Sequence, residues 1–134
     1  MSFSAHHLTN KLSGTNAAVA SFSPSTSDLA LHVQVPGGQL TYVQSDGQVG
    51  YTLPHSVDMP DSSLVTPFKY TQQATPSSVG NLQFDSKDFF ACPTGEKYIY
   101  QIYADVPGFT KTDCIGIAIG TAEWTQEGEA WQYA

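Results

Sequence analysis

The chain has 134 residues, of which 40% are hydrophobic and only 13% are charged, with five basic residues against 12 acidic ones. This length suits one domain that buries about two thirds of the surface of its unfolded chain. Scattered lysines and the absence of arginine exclude a nucleic-acid binder, because a phosphate backbone requires clustered basic side chains. Low charge also disfavours long amphipathic helices, whose outer faces are normally charged.

The first 28 residues are mostly small and polar, which predicts a loop-rich start. Phe3 is expected to begin an edge strand, whereas Asn16–Phe22 fits either a helical turn or a strand. His6 and His7 are adjacent and would point to opposite faces of a strand, so we expect no metal site. The opening residues lack the basic start and apolar run of a signal peptide, and the initial methionine could replace a removed leader.

From Leu29 the hydrophobic pattern has a period of two. Leu29–Val35 predicts a half-buried strand that ends at a Pro-Gly-Gly break. Gln39–Gln44 and Gln48–Leu53 predict two more strands, joined by a turn at Ser45-Asp46-Gly47. Asp-Gly between two strands is a strong hairpin signal, because glycine tolerates the positive φ of such turns. The sequence therefore predicts a meander of three strands.

Polar connections and one edge strand occupy the middle of the chain. Pro54–Ser63, with two prolines and two aspartates, is predicted to be a surface loop. Leu64–Tyr70 resumes an extended pattern, but Pro67 excludes it from the centre of a sheet and favours an edge. Thr71–Gly80 is another polar connection.

The densest run of strand-forming residues follows. Asn81–Phe84 and Lys87–Cys92 are predicted strands with a turn at Asp85-Ser86. Tyr98–Ala104 is apolar on both faces, which favours a central strand between packed layers. In the alternative interpretation, Tyr98, Tyr100 or Tyr103 belongs to an exposed aromatic platform on which a sugar could stack.

The last predicted strand, Ile115–Trp124, begins with isoleucines that alternate with small residues through Gly120. Small residues on one face allow another element to approach closely, so we expect Ile115–Gly120 to lie in the core. Trp124 is expected to close the core. Trp131 and Tyr133, in the tail, would form a final edge strand or an exposed patch.

Cys92 and Cys114 are the only cysteines, and each adjoins a strand-like run. In a low-charge chain rich in serine and threonine this pattern favours a disulfide and secretion, with a reduced cytosolic pair as the alternative. A bridge closing roughly 23 residues would stabilise the fold by ~3 kcal/mol. No apolar run approaches the length of a membrane span.

Paired carboxylates are the only catalytic possibility that the composition raises, since glycoside hydrolysis needs two acids across a cleft. Asp88 and Asp113 are more simply turn or strand-end residues that accept backbone N–H bonds. No Gly-x-Ser-x-Gly elbow and no phosphate-binding loop is present. We therefore expect no catalytic residues and no cofactor. The acids considered were Asp85, Asp88, Glu96, Asp105, Asp113 and Glu123.

Four segments carry a resemblance to a known family. They are GQVGYT at Gly47–Thr52, LQF-x-x-KD-x-x-ACP at Leu82–Pro93, an aromatic strand ending in Ala104-Asp105, and DC-x-GIA at Asp113–Ala118. These segments resemble small secreted fungal cell-wall proteins of the phialide-associated conidial wall protein type. That family includes hypersensitive response-inducing elicitors of plant pathogens such as the rice-blast fungus, to which the size and low charge of this chain are similar. This sequence lacks the further cysteine pair of many members.

The resemblance implies a non-enzymatic protein of the fungal wall or plant apoplast that triggers plant cell death and defence. It implies the pairing of Cys92 with Cys114 and carries over no catalytic residue. The alternative is a structural or polysaccharide-binding wall protein, and a less favoured one is a glycan hydrolase with an acidic cleft. Expected partners are a plant surface receptor or a wall polysaccharide, met by a monomer through a surface that includes Tyr98, Tyr100, Asp105, Asp113 and Trp131. The accessible loops are expected at 54–63, at Glu96 and at 106–113.

Together these patterns predict an all-β fold, a single-domain antiparallel β-sandwich or β-barrel of eight to ten short strands with one disulfide. The whole chain, 1–134, is expected to be one secreted domain. It would consist of a loop-rich segment at 1–28, a β core at 29–124 and a tail at 125–134.

Overall fold

A computed structural model describes residues 4–6, 22, 27–31, 38–72, 74–75 and 77–121. These residues form strands, turns and loops without a helix, which confirms the all-β prediction. They accordingly contain no helix long and apolar enough to cross a membrane. The ten strands are β1 (Ser4–His6), β2 (Ala30–Leu31), β3 (Gln39–Val43), β4 (Val49–Tyr51), β5 (Phe68–Thr71), β6 (Gly80–Phe84), β7 (Phe89–Pro93), β8 (Ile99–Ala104), β9 (Ile115–Ile117) and β10 (Ile119–Thr121).

The strands form three antiparallel sheets. A four-stranded sheet has the order β1-β8-β7-β9, and two three-stranded sheets have the orders β10-β6-β5 and β2-β3-β4. All three sheets contribute to one hydrophobic core, with Val43 from β3, Phe84 from β6, and Phe89 and Ile102 from the four-stranded sheet. None of the described sheets closes on itself, so of the two predicted arrangements the sandwich is favoured over the barrel.

The central position of β8, Ile99–Ala104, confirms the interpretation of this segment as a strand between packed layers, except that Tyr98 lies in the turn before the strand. One edge of β8 pairs with β1 and the other with β7, and its last four residues are buried. β1 pairs only with residues 99–101 of β8. Further along β8, Tyr103 forms an isolated β-bridge with Gln48. The buried Gln101 Nε2 also donates to the Val49 carbonyl oxygen at 3.0 Å, which joins β4 to β8 across the sheets.

The predicted meander is observed as the sheet β2-β3-β4, although residues 32–35 of its first predicted strand lie outside the described part. Its β3–β4 turn follows the Asp-Gly signal. Asp46 Oδ1 accepts from the Gln48 N–H at 3.0 Å, and Gly47 has a φ of 95°. A Cβ on Gly47 would lie 2.6 Å from the Ala104 carbonyl oxygen, so the turn requires glycine for its conformation and for its approach to β8.

Two middle predictions are also confirmed. Residues 54–63 contain no strand, and β5 lies at the edge of its sheet as predicted, although it begins only after Pro67. Phe22 makes an isolated bridge to Leu31, while the rest of Asn16–Phe22 lies outside the described residues, as do Trp124, Trp131 and Tyr133. The division into segments at 28 and 124 therefore stays a prediction.

The prediction that Ile115–Gly120 lies in the core is only partly confirmed, because Ile117 and Ile119 pack against the core whereas the rest of the segment does not. Ala118 interrupts this segment, so that β9 is an edge of one sheet and β10 an edge of another. Ile115 is 51% exposed, and a Cβ on Gly116 would meet nothing within 4 Å. Gly116 therefore faces open space with no second element packed against it, whereas Gly120 lies close to Val79.

Candidate binding surface

The candidate site lies at the boundary between two sheets, which we call the seam, where the chain continues from β6 into β7 and from β9 into β10. β7 pairs with β9 in the four-stranded sheet, and β6 pairs with β10 in the neighbouring sheet. Ala118 alone separates β9 from β10, whereas residues 85–88 separate β6 from β7. The longer segment must therefore leave the ladder, in the manner of a large β-bulge, before its partner strand continues.

The extra residues form a tight turn. The Phe84 N–H donates to the Lys87 carbonyl at 3.1 Å, and the Lys87 N–H donates back at 3.0 Å. Asp85 and Ser86 have φ values of 51° and 60°, the positive pair that a two-residue type I′ turn requires. The turn predicted at Asp85-Ser86 is thus confirmed, and it brings Gln83 and Asp88 together at its base.

The carboxylate of Asp88 is held by two side-chain amides. Gln83 Nε2 donates to Asp88 Oδ1 at 3.1 Å, and Asn81 Nδ2 lies 3.5 Å from the same oxygen. Asn81 and Gln83 alternate with the buried Gly80, Leu82 and Phe84, so both amides project from the outer face of β6. Among the described residues, Asp88 Oδ2 accepts no hydrogen bond.

Asp88 and Asp105 line the same open cleft of about 320 Å³. Asp105 follows the end of β8, and the register of Phe89 against both Ala104 and Ile117 explains why these chain ends meet here. No described lysine pairs with either carboxylate. The cleft residues are Asp88, Phe89, Phe90, Asp105, Gly116, Ile117 and Ala118.

The outer face of the four-stranded sheet is covered by the loop 105–114, which we call the β8–β9 loop. Phe109 stacks on Phe90 with ring centroids 4.5 Å apart and planes 8° apart, and it also contacts Tyr103 at 5.6 Å. Lys111 Nζ lies 5.6 Å from the Tyr103 ring centroid. The loop ends at the disulfide between Cys114 and the fully buried Cys92, which confirms the predicted bridge.

The β8–β9 loop is also fixed by the β3–β4 turn. A Cβ on Gly108 would collide with the Ser45 carbonyl oxygen, so the two backbones touch at this point. The Ala104 N–H donates to the Gly47 carbonyl oxygen at 2.7 Å immediately before the loop begins. Aromatic stacking, backbone contact and a covalent bridge therefore hold one short exposed loop in place.

The structure separates the residues predicted to form a ligand or receptor surface. Asp105 lies in the cleft, whereas Asp113 is exposed in the β8–β9 loop, with Oδ1 3.6 Å from Cys114 Sγ. Tyr98 is 51% exposed in the β7–β8 turn, and Tyr100 is half-buried against the core. Trp131 lies outside the described residues. The surface role of these five residues stays a prediction.

Sequence reasoning treated Asp88 as a strand-end residue and overlooked Asn81 and Gln83. A usable signal was present, because a two-residue turn at Asp85-Ser86 pairs Phe84 with Lys87 and next brings Gln83 opposite Asp88. Among the described residues, no three histidine, cysteine or acidic side chains are grouped so that they could hold a metal ion.

Comparison with known proteins identifies the family. Residues 5–134 match the sequence model of the family described as PhiA-like secreted protein. The chain is 32% identical over 114 residues to an uncharacterized secreted protein of Arthroderma benhamiae, a match covering 78% of this chain and 57% of that relative. This chain thus spans little more than half the length of that relative. No solved structure matches this chain. The chain belongs to the PhiA-like secreted protein family and is a secreted protein.

Proposed function

We propose that this protein is a secreted elicitor, which a plant surface receptor recognises and which triggers hypersensitive cell death and defence without catalysing a reaction. Membership of a secreted fungal family and the resemblance of the cysteine-bearing segments to elicitors support this function. The observation that carries the proposal is the β8–β9 loop, which is exposed at its tip yet fixed at both ends.

A fixed loop suits recognition because little conformational entropy remains to be lost when a partner binds. Its tip, Thr110–Asp113, is exposed and offers hydroxyl groups, one lysine and one carboxylate in a short span. The Phe109 ring next to the tip contacts Phe90 and Tyr103, so the loop packs on the four-stranded sheet. Such a loop on a rigid scaffold is a common location for binding residues.

Infiltration of purified protein into leaves tests this function. Folded protein should cause cell death, and a heat-denatured sample should not. A loop variant, Lys111→Ala with Thr112→Ala and Asp113→Ala, should lose most of the response. A matched variant, Lys69→Ala with Thr71→Ala, changes exposed residues of the distant edge strand β5 and should retain it.

The outcomes separate the function from the surface. No cell death from the folded protein would refute the elicitor function itself. Cell death that the loop variant causes as strongly as the native protein would refute the β8–β9 loop as the recognised surface. Circular dichroism of each variant checks that the fold is unchanged.

A second candidate function, binding of a wall polysaccharide, is supported by the exposed ring of Tyr98. Lys97 Nζ lies 4.9 Å from the centroid of this ring, which projects from the β7–β8 turn. Tyr98→Asn removes the ring while suiting the positive φ of 66° at this position. Retention of the protein on insoluble glucan or chitin that falls with this variant would support stacking at Tyr98, and unchanged retention would exclude it.

A further inference from the structure

We propose that the cleft between Asp88 and Asp105 is a binding site for a neutral, hydroxyl-rich polysaccharide chain. This inference rests on the second candidate function and goes beyond it, because it assigns the sugar to a different surface from Tyr98. The cleft brings together hydrogen-bonding side chains and an aromatic ring at the seam of two sheets. Pockets that combine apolar walls with a few fixed polar groups are the usual form of a ligand site.

The polar side of the site is fixed before a ligand arrives. Asp88 lies at the base of the tight turn, and its Oδ1 is held by Gln83 at 3.1 Å. Its Oδ2 and the carboxylate of Asp105 accept no hydrogen bond from any described residue. Sugar hydroxyl groups are donors of the required kind, and hydrogen bonds to a charged carboxylate are stronger than those between neutral groups.

The apolar side of the cleft is formed by the Phe90 ring, and the space beside this ring is open because its partner on β9 is a glycine. Phe90 pairs in register with Gly116, and a Cβ added to Gly116 would meet nothing within 4 Å. Phe109 stacks against Phe90 and fixes the orientation of its ring. An aromatic ring beside an open glycine provides a flat apolar surface against which the C–H face of a sugar ring can pack.

An independent observation on the same outer face concerns Asn81. Its Oδ1 is buried, yet it has no hydrogen-bond partner among the described residues, while its Nδ2 lies 3.5 Å from Asp88. Buried acceptors in proteins are normally satisfied, so this oxygen calls for a donor that the described residues do not supply. Asn81 does not itself line the cleft, so a hydroxyl group of a bound sugar would satisfy this oxygen only after the Asn81 side chain turned toward Asp88.

The charge of the two carboxylates determines which class of ligand the cleft can bind. Two carboxylates without a lysine partner repel phosphates and acidic polysaccharides. Among the described residues, no third histidine, cysteine or acidic side chain joins this pair to form a group that could hold a metal ion. A neutral sugar chain satisfies the acceptors without bringing a charge. Its source is a fungal wall, as β-1,3-glucan or chitin, or a plant wall, as cellulose.

Gly116→Leu gives a specific test because Gly116 lines the cleft and a Cβ at this position would meet nothing within 4 Å, so the added side chain begins in open space. The matched control is Gln72→Leu, which places the same side chain at an exposed position just after β5 and outside the cleft. Full-length protein is mixed with insoluble β-1,3-glucan, chitin or cellulose, and the protein left in solution is measured. Asp88→Ala provides a second variant that removes a carboxylate instead of blocking the space.

The native protein and Gln72→Leu should bind one of these polysaccharides equally. Asp88→Ala should bind about tenfold more weakly, the loss expected for one hydrogen bond to a charged group. Gly116→Leu should also bind more weakly, because its side chain occupies space that the sugar needs. Failure of the native protein to bind any of the three would refute the polysaccharide-binding function together with this site. Retention of the native protein and of both cleft variants with equal affinity would refute the cleft alone.

Titration of the native protein with soluble gluco- and chito-oligosaccharides locates the bound sugar without any substitution that could unfold the protein. The side-chain amide signals of Asn81 and Gln83 should shift in the NMR spectrum of the native protein as the binding oligosaccharide is added. Shifts confined to Tyr98 and its neighbours would overturn the assignment to the cleft.

Discussion

Removal of the Cys92–Cys114 bridge should lower stability by an amount that the chain topology determines. The bridge joins residues separated by 22 positions. In the chain-entropy model, closing a loop of that size restricts the unfolded chain enough to stabilise the fold by about 3 kcal/mol. The entropy of unfolding at the melting temperature is about 2.1 cal/mol/K per residue, so the melting temperature should fall by about 10 °C.

The double variant Cys92→Ala with Cys114→Ala is the cleanest form of this experiment. Alanine at the fully buried position 92 avoids a serine hydroxyl without a partner, which would add a desolvation cost of about 1–3 kcal/mol. Thermal unfolding followed by circular dichroism, without reductant, compares this variant with the native protein. Reduced native protein serves as a second comparison, because it loses the bridge without any change of side chain.

A decrease of less than about 3 °C in both samples would refute the reasoning from loop closure. It would mean that the unfolded chain is already restricted in this region, or that Phe109 and the β3–β4 turn hold the loop without the bridge. A decrease in melting temperature well beyond about 15 °C would show that the bridge also maintains native packing of the four-stranded sheet.

Three further predictions concern backbone conformation, pH and catalysis. Gly47→Ala should cost about 1–3 kcal/mol more than Gly95→Ala in urea unfolding, because both positions have positive φ but only the first approaches another backbone. Equal costs would show that the approach is relieved by a small shift. Burial raises the pKa of Tyr42 above its ordinary 10.0, so the folded state keeps this proton to higher pH than the unfolded chain. The free energy of unfolding should therefore decrease as the pH rises above about 10, and Tyr42→Phe should reduce that decrease; an identical pH dependence would contradict this. Glucan or chitin incubated with the protein should release no reducing sugar; release that Asp88→Asn or Asp105→Asn abolishes would instead identify a hydrolase.

Local signals predicted the parts of the fold that depend on neighbouring residues. Asp46-Gly47 and Asp85-Ser86 form the turns that their residue types favour, and Pro67 marks the approach to an edge strand. The apolar character of both faces of Tyr98–Ala104 correctly placed β8 at the centre of a sheet. Each of these features follows from side chains within a few positions of one another.

Predictions failed where the answer depended on which strands become neighbours. Alternating isoleucine and glycine at 115–120 has the same pattern in a core strand and in an exposed edge strand. The outcome is decided by the pairing of β9 with β7 and of β10 with β6, a choice that involves residues far away in the sequence. The cleft was missed for the same reason, since Asp88 and Asp105 meet only after β7 and β8 have paired.

The position of β1 has a consequence for how the chain reaches its native state. Ser4–His6 pairs with residues 99–101 of β8, so the first strand finds its partner only after most of the chain is available. Contacts between such distant segments slow folding, because a long loop must close before any pairing is gained. The four-stranded sheet therefore cannot be completed until β8 and β9 are both available, so β1 has no partner in this sheet while the residues between it and β8 are being synthesised.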